Sequence, residues 1–248
     1  MKTTQHARRR LQLFSAFCFL ISAFVLLPAC ESQGEKDFSA QVNDLIQKAA
    51  GRSNVDIAAD LFNTGTPDAR RAAIGEIQKK SWGHDEPLMR AYRTLATDPQ
   101  PLVRGQAYRA LGSSHDPAVA LDLAPAKAED RSLPGLVTGL SDKDPVVRRD
   151  VAAAMCDVHN EAMINILIDH LRVDSDPQVR VSCARALAGY PNPRVLRILA
   201  EALDDKDVAV IQYAYDSLKA TTGQQFDKAP QPWMEYINAR YPATGPGI

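Results

Sequence analysis

The sequence predicts an all-α fold, an α-solenoid of about five helix pairs with capping helices at the N- and C-terminal ends. Three observations predict it. A short segment occurs five times at two-helix spacing, apolar residues follow each copy at steps of four, and no long alternating strand pattern competes.

The recurring segment is clearest as Asp144-Pro145-Val146-Val147-Arg148 and Asp176-Pro177-Gln178-Val179-Arg180. Looser copies are Thr66-Pro67-Asp68-Ala69-Arg70 and Gln100-Pro101-Leu102-Val103-Arg104, and a worn one is Asp207-Val208-Ala209-Val210-Ile211. Their last positions lie 34, 44, 32 and 31 residues apart, periods of a two-helix unit with one insertion. The fourth position of each copy gives the column Ala69, Val103, Val147, Val179 and Val210. Four residues on stand Ala73, Ala107, Val151, Cys183 and Ala214, and four further on Ile77, Leu111, Met155, Leu187 and Leu218. Steps of four place each set on one helical face. Asp or Thr can cap such a helix, and Pro at its first position gives up no hydrogen bond.

A second helix is expected after each first one. The stripes are Leu88, Tyr92 and Leu95; Leu133, Leu136, Val137 and Leu140; Ile164, Leu167, Ile168 and Leu171; and Leu196, Leu199 and Leu203. The repeats thus fill residues 66–222. Ahead of them, Phe38, Val42, Leu45, Ile46 and Ala49, then Val55, Ala58, Leu61 and Phe62, read as a capping helix pair in 38–65. Residues 223–248 read as a C-terminal cap and tail, with Trp233, Tyr236 and Ile237 on a short amphipathic helix. The longest interval holds about ten to twelve extra residues within 113–131, a surface insertion of the kind that can carry contacts.

The N-terminus has three zones. Lys2, Arg8, Arg9 and Arg10 precede an apolar run at 13–27, which ends in Leu27-Pro28-Ala29-Cys30. A basic start, an apolar stretch and small residues at a cleavage point make residues 1–29 a secretory signal peptide. Residues 30–37 are then a short polar tether. Residues 30–248 carry 25 basic against 30 acidic residues, a balance unsuited to neutralising nucleic-acid phosphates. Beyond Cys30, Cys156 and Cys183 fall on apolar helix faces and read as free packing residues.

Catalytic motifs are missing. There is no His-Glu-x-x-His, no Gly-x-Ser-x-Gly and no phosphate-cradling glycine loop. His84, Asp85 and Glu86 read as an exposed turn before Pro87 rather than a metal site. The expectation is a protein with no catalytic residue, no metal and no cofactor, hence not an enzyme.

Two resemblances add to this. Leu27-Pro28-Ala29-Cys30 resembles the lipobox of bacterial lipoproteins, which implies cleavage before Cys30 and lipid on its thiol. Glu31 rather than Asp after the cysteine implies the periplasmic face of the outer membrane rather than the inner membrane. The Asp-Pro-x-Val-Arg signature with its Ala-rich helix, as in Asp176 to Leu187, resembles HEAT repeats, especially the short kind of phycobilisome-lyase-like proteins. That resemblance covers roughly residues 66–220 and implies a stack of helix pairs with a convex and a concave face. It also implies that Asp144 with Arg148, and Asp176 with Arg180, tie neighbouring repeats, with Arg70 and Arg104 in the same register. The four arginines could alternatively form an anion-binding ladder. Deoxyhypusine hydroxylase, a HEAT-type enzyme, binds iron through His-Glu dipeptides, and this sequence has none. The expected function is a membrane-anchored, non-catalytic scaffold in the bacterial envelope that holds a protein or peptide partner. The alternatives are binding or assembly of cell-wall polymer, and a lyase-like or tetrapyrrole-handling enzyme.

Overall fold

Four of the five first helices begin at a proline. In the computed structural model these starts are α1 (Pro67–Ile77), α3 (Pro101–Gly112), α5 (Pro145–Ala154) and α7 (Pro177–Leu187), joined by α9 (Val208–Thr222), which lacks the proline. The second helices are α2 (Glu86–Leu95), α4 (Leu136–Gly139), α6 (Met163–Val173), α8 (Pro193–Glu201) and α10 (Pro230–Arg240). The structure describes residues 57–62, 65–124 and 131–242. The signal peptide, Cys30, the tether, most of the expected N-terminal capping pair, residues 125–130 of the insertion and residues 243–248 lie outside that range. The described residues are helical, without a β-strand, and the fold class is the all-α one the sequence predicts.

The chain divides into two compact units, Met1–Ala107 with Ala124–Arg131, and Tyr108–Leu123 with Ser132–Ile248. In the first, Ala73, Ile74 and Ile77 of α1 and Leu88, Ala91 and Tyr92 of α2 are buried, as are Val103 and Ala107 of α3. The phenol of Tyr92 donates to the Gly83 carbonyl at 3.0 Å, so its one polar atom stays paired, and burial pushes its pKa up. In the second unit α7 packs against α5, α6 and α9, and α8 against α10. The apolar columns are its core: Val147, Val151 and Met155 on α5, Val179, Cys183 and Leu187 on α7, and Val210, Ala214 and Leu218 on α9 are all buried. Of the fifteen column positions in the chain, Ala69 alone is half-buried rather than buried.

The fourth helical stripe is shorter than its sequence suggests. Leu133 is not helical; its N–H and C=O pair with those of Leu123 at 3.0 and 2.8 Å in an isolated antiparallel bridge. Pro134 explains this, because the residue before a proline is pushed out of the helical region. The bridge closes the insertion, which also contains a 3₁₀ turn, Pro117–Ala120, capped by Asp116. Gly135 sits where the chain re-enters the stack. A Cβ there would lie 2.4 Å from the carbonyl carbon and oxygen of Leu121, so the close backbone approach requires glycine.

At the C-terminal end, Gly223 ends α9 in the left-handed conformation with φ 70°. Helix α10 then packs on α8 and on the 3₁₀ turn Ala202–Asp204, in the second-helix place of the fifth pair. Trp233 and Ile237 are its buried side chains. No helix among the described residues is long and apolar enough to cross a membrane.

Candidate functional site

The turns between helix pairs carry a ladder of ion pairs. Arg148 donates from Nε and Nη2 to both carboxylate oxygens of Asp174, at 2.7 and 2.8 Å. Arg180 does the same to Asp205, at 2.8 and 2.8 Å. In the first unit Arg70 lies 2.8 Å from Asp98. Each acceptor is 25 to 28 residues further along the chain, at the head of the next pair. The guanidinium also holds the turn before its own helix. Nη1 of Arg104, Arg148 and Arg180 donates to the carbonyls of Asp98, Asp142 and Asp174, at 2.8, 3.0 and 2.8 Å. Arg70, Arg104 and Arg180 are buried, and Arg148 is nearly so. Planar forks with bidentate acceptors suit such sites, which lysine would fill poorly. In the fifth pair, Ile211 stands in the arginine position.

The acidic partners differ from those the family resemblance implies. Asp144 and Asp176 cap their helices, accepting from Val146 N–H at 2.9 Å and from Gln178 N–H at 2.7 Å. The bridging carboxylate is the aspartate two residues earlier. In Asp174-Ser175-Asp176 and Asp205-Lys206-Asp207, the first aspartate takes the arginine and the second caps the helix. The first also accepts from the backbone N–H of the second, at 3.0 and 2.8 Å. The spacing was readable in the sequence, since Asp98, Asp142, Asp174 and Asp205 all stand two residues before the cap.

Asp174 is the most densely bonded of these. It takes Arg148, the Asp176 N–H and His170 Nδ1, the last at 2.8 Å. Burial pushes its carboxyl pKa up, but the hydrogen bonds from Arg148, the Asp176 N–H and His170 outweigh it and hold the group at about 2. A carboxyl depressed in the folded state stabilises above its unfolded pKa, and that stability is lost as pH falls through the folded pKa. Asp174 should therefore contribute about 2 kcal/mol that fades between pH 4 and pH 2. Urea midpoints measured across that range should fall less steeply in Asp174→Asn than in the parent; an unchanged slope would exclude this role.

The turns within pairs carry a second set of links on the second unit. The Tyr190 phenol lies 3.1 Å from both the N–H and the carbonyl of Asn160. Asn160 Nδ2 donates to the Pro117 carbonyl of the insertion at 3.0 Å, and His115 Nδ1 lies 3.0 Å from the Asp157 carbonyl. The insertion is thus bonded to the following repeat.

The second helices of this unit present a polar face. Arg194 donates to Asn165 at 2.8 Å, Arg172 to Glu201 at 2.7 Å, and Arg197 to the Tyr241 carbonyl at 2.8 Å. These bonds run from α6 to α8 and from α8 to the end of α10, linking three successive pairs along one face. The exposed Arg172–Glu201 ion pair adds little stability, about 0–1 kcal/mol, but these bonds set side-chain positions.

Other groups resolve into packing. Cys183 and Cys156 are free. Burial pushes the Cys183 thiol well up and the Cys156 thiol up to about 11, so neither is a ready thiolate at neutral pH. Asp85 sits at the N-terminal boundary of α2, next to His84. No cluster of His, Cys, Asp or Glu fit for a metal occurs among the described residues.

One comparison with known proteins agrees with this architecture. Residues 133–219 match the family of HEAT repeats. No curated protein matches the sequence. Among solved structures, the chain is similar to human deoxyhypusine hydroxylase in complex with glycerol, at 16% identity and a TM-score of 0.35, over 77% of this chain and 99% of that one. The expectation that the chain is not an enzyme is corrected by this match, because the matched structure is an enzyme. HEAT repeats alone settle nothing about catalysis, and a likeness at that TM-score transfers neither residues nor chemistry.

Proposed function

We propose that the chain is a bacterial lipoprotein whose HEAT repeats form a scaffold holding a protein or peptide partner at the cell envelope. The observation that carries the binding role is the polar face of α6, α8 and α10, whose arginines are held by neighbouring pairs before any partner arrives. Side chains already fixed lose less entropy on binding than free ones. The lipid reading rests on the basic start, the apolar run and Leu27-Pro28-Ala29-Cys30. Diacylglycerol on the Cys30 thiol supplies two acyl chains, enough for stable anchoring where one is marginal. Glu31 favours the periplasmic face of the outer membrane, and the Asp-Pro-x-Val-Arg signature favours the short, phycobilisome-lyase-like kind of repeat.

Cys30→Ala should accumulate as an unprocessed precursor that incorporates no labelled palmitate, read by gel shift and autoradiography. Normal cutting and acylation of that variant would sink the lipoprotein reading. Crosslinking of the anchored protein in intact cells, followed by affinity capture, should recover a protein or peptide. Recovery of cell-wall polymer instead would overturn the scaffold reading.

A further inference from the structure

The first helices of the second unit expose arginines at a repeated position. Arg109 and Arg185 each stand five residues after a ladder arginine, Arg104 and Arg180. Each meets the residue two places after the ladder position of the next first helix. Arg109 Nε lies 3.2 Å from Asp150 Oδ1, and the Arg185 guanidinium carbon lies 5.7 Å from the centroid of the Tyr213 ring. Arg149 joins the first of these contacts, its Nη2 3.5 Å from the same Asp150 oxygen. Two guanidiniums that end on one oxygen lie side by side. The Arg109 and Arg149 side chains are 50% and 43% exposed, that of Asp150 only 11%.

The cluster holds more positive than negative charge. Asp150 is the only acid on α3, α5 and α7, and it serves two arginines. The ladder arginines Arg148 and Arg180 have carboxylates of their own. Among the described residues, Arg109, Arg149 and Arg185 pair with no other acid. Asp157 follows α5, and Asp216 lies on α9, where it accepts from Gln212. A guanidinium has five N–H donors in a planar fork, so Arg109 and Arg149 have donors to spare beside Asp150. A carboxylate arriving from solvent would restore the balance and accept from both forks. Exposed pairs are worth about 0–1 kcal/mol each, too little to hold a small free anion. Helices α5, α7 and α9 pack in succession, with Arg185 and Tyr213 exposed on the latter two. Such a surface suits a chain that bears several carboxylates.

We propose that Arg109 and Arg149 together bind a carboxylate on an acidic segment of the scaffold's partner, which runs on across α7 toward Arg185 and Tyr213. The proposal rests on the scaffold reading above and adds a second surface to it, on the first helices, with its own chemistry. Arginine and tyrosine are the side chains that carry most energy at such contacts.

The test uses the full-length protein in detergent and the fluorescein-labelled peptide Glu-Glu-Ser-Glu-Glu-Ser, followed by anisotropy. Arg149→Gln leaves Arg109 on Asp150 and should weaken saturable binding about threefold or more, with unchanged circular dichroism. Asp150→Asn removes the competing acid and should tighten binding by about the same factor, a gain that a merely structural contact would not give. A peptide with Gln for every Glu should bind more weakly, and added salt should weaken the acidic one. Equal binding of both peptides, indifference to Arg149→Gln, weaker binding by folded Asp150→Asn, or no binding at millimolar peptide would overturn the assignment. Displacement of the peptide by inorganic phosphate or short-chain phosphatidylglycerol at matched charge concentration would overturn it in favour of a phosphate-bearing ligand. The two readings fail separately. A partner crosslinked equally by parent and Arg149→Gln leaves the scaffold standing and removes this surface from it. Recovery of polymer alone in the crosslinking experiment overturns the scaffold, even where the peptide binds.

Discussion

Arg180→Ala should destabilise the second unit by about 3 kcal/mol, because it leaves a half-buried carboxylate without its counter-charge. The Arg180 side chain is 3% exposed and that of Asp205 13%. Asp205 is pushed up by burial but held below the usual carboxylate range by Arg180 and the Asp207 N–H, so removing Arg180 leaves burial acting against fewer bonds. The Asp174 carbonyl loses its donor as well. Asp176→Ala, four residues earlier, removes only a helix cap and should cost about 1 kcal/mol. Urea denaturation followed by circular dichroism would measure both. A larger loss for Asp176→Ala than for Arg180→Ala would reverse the roles assigned to the two aspartates of each turn.

Trp233→Ala should cost about 3–5 kcal/mol, the range for emptying a large aromatic site in a core. Trp233 is fully buried and anchors Phe226, Tyr215 and the Asp227 carbonyl at once. Trp233→Phe keeps part of the volume and should recover more than half of the loss. Thermal unfolding of the two variants would decide; equal losses would mean that the indole N–H, rather than ring volume, dominates.

Much of the fold was legible because a helical repeat writes its core at fixed intervals. Val147, Val151 and Met155 on one helix and Val179, Cys183 and Leu187 on another are buried as their spacing demands. Local steric rules were harder to weigh. The apolar stripe from Leu133 to Leu140 suggests one helix, but Pro134 keeps Leu133 out of it. The ladder was half legible. The arginines stood out through their register, but their acceptors lie on the following turn, and their pairing depends on how far α6 and α8 run before the chain reverses. The aromatic cluster at the C-terminal end gave no signal, since Tyr215, Phe226 and Trp233 come from a helix, a loop and another helix with no common spacing.

The placement of Asp174 has a thermodynamic consequence. One carboxylate accepts from Arg148 and His170 of the third pair and from the Asp176 N–H that opens the fourth. Opening either pair therefore strands a charge in the other. Nearest-neighbour coupling of this strength raises the free energy of a frayed boundary above that of a fully formed or fully melted stack. Partial melting between these pairs is penalised twice, so α5 to α7 should open as a single cooperative block rather than one helix pair at a time.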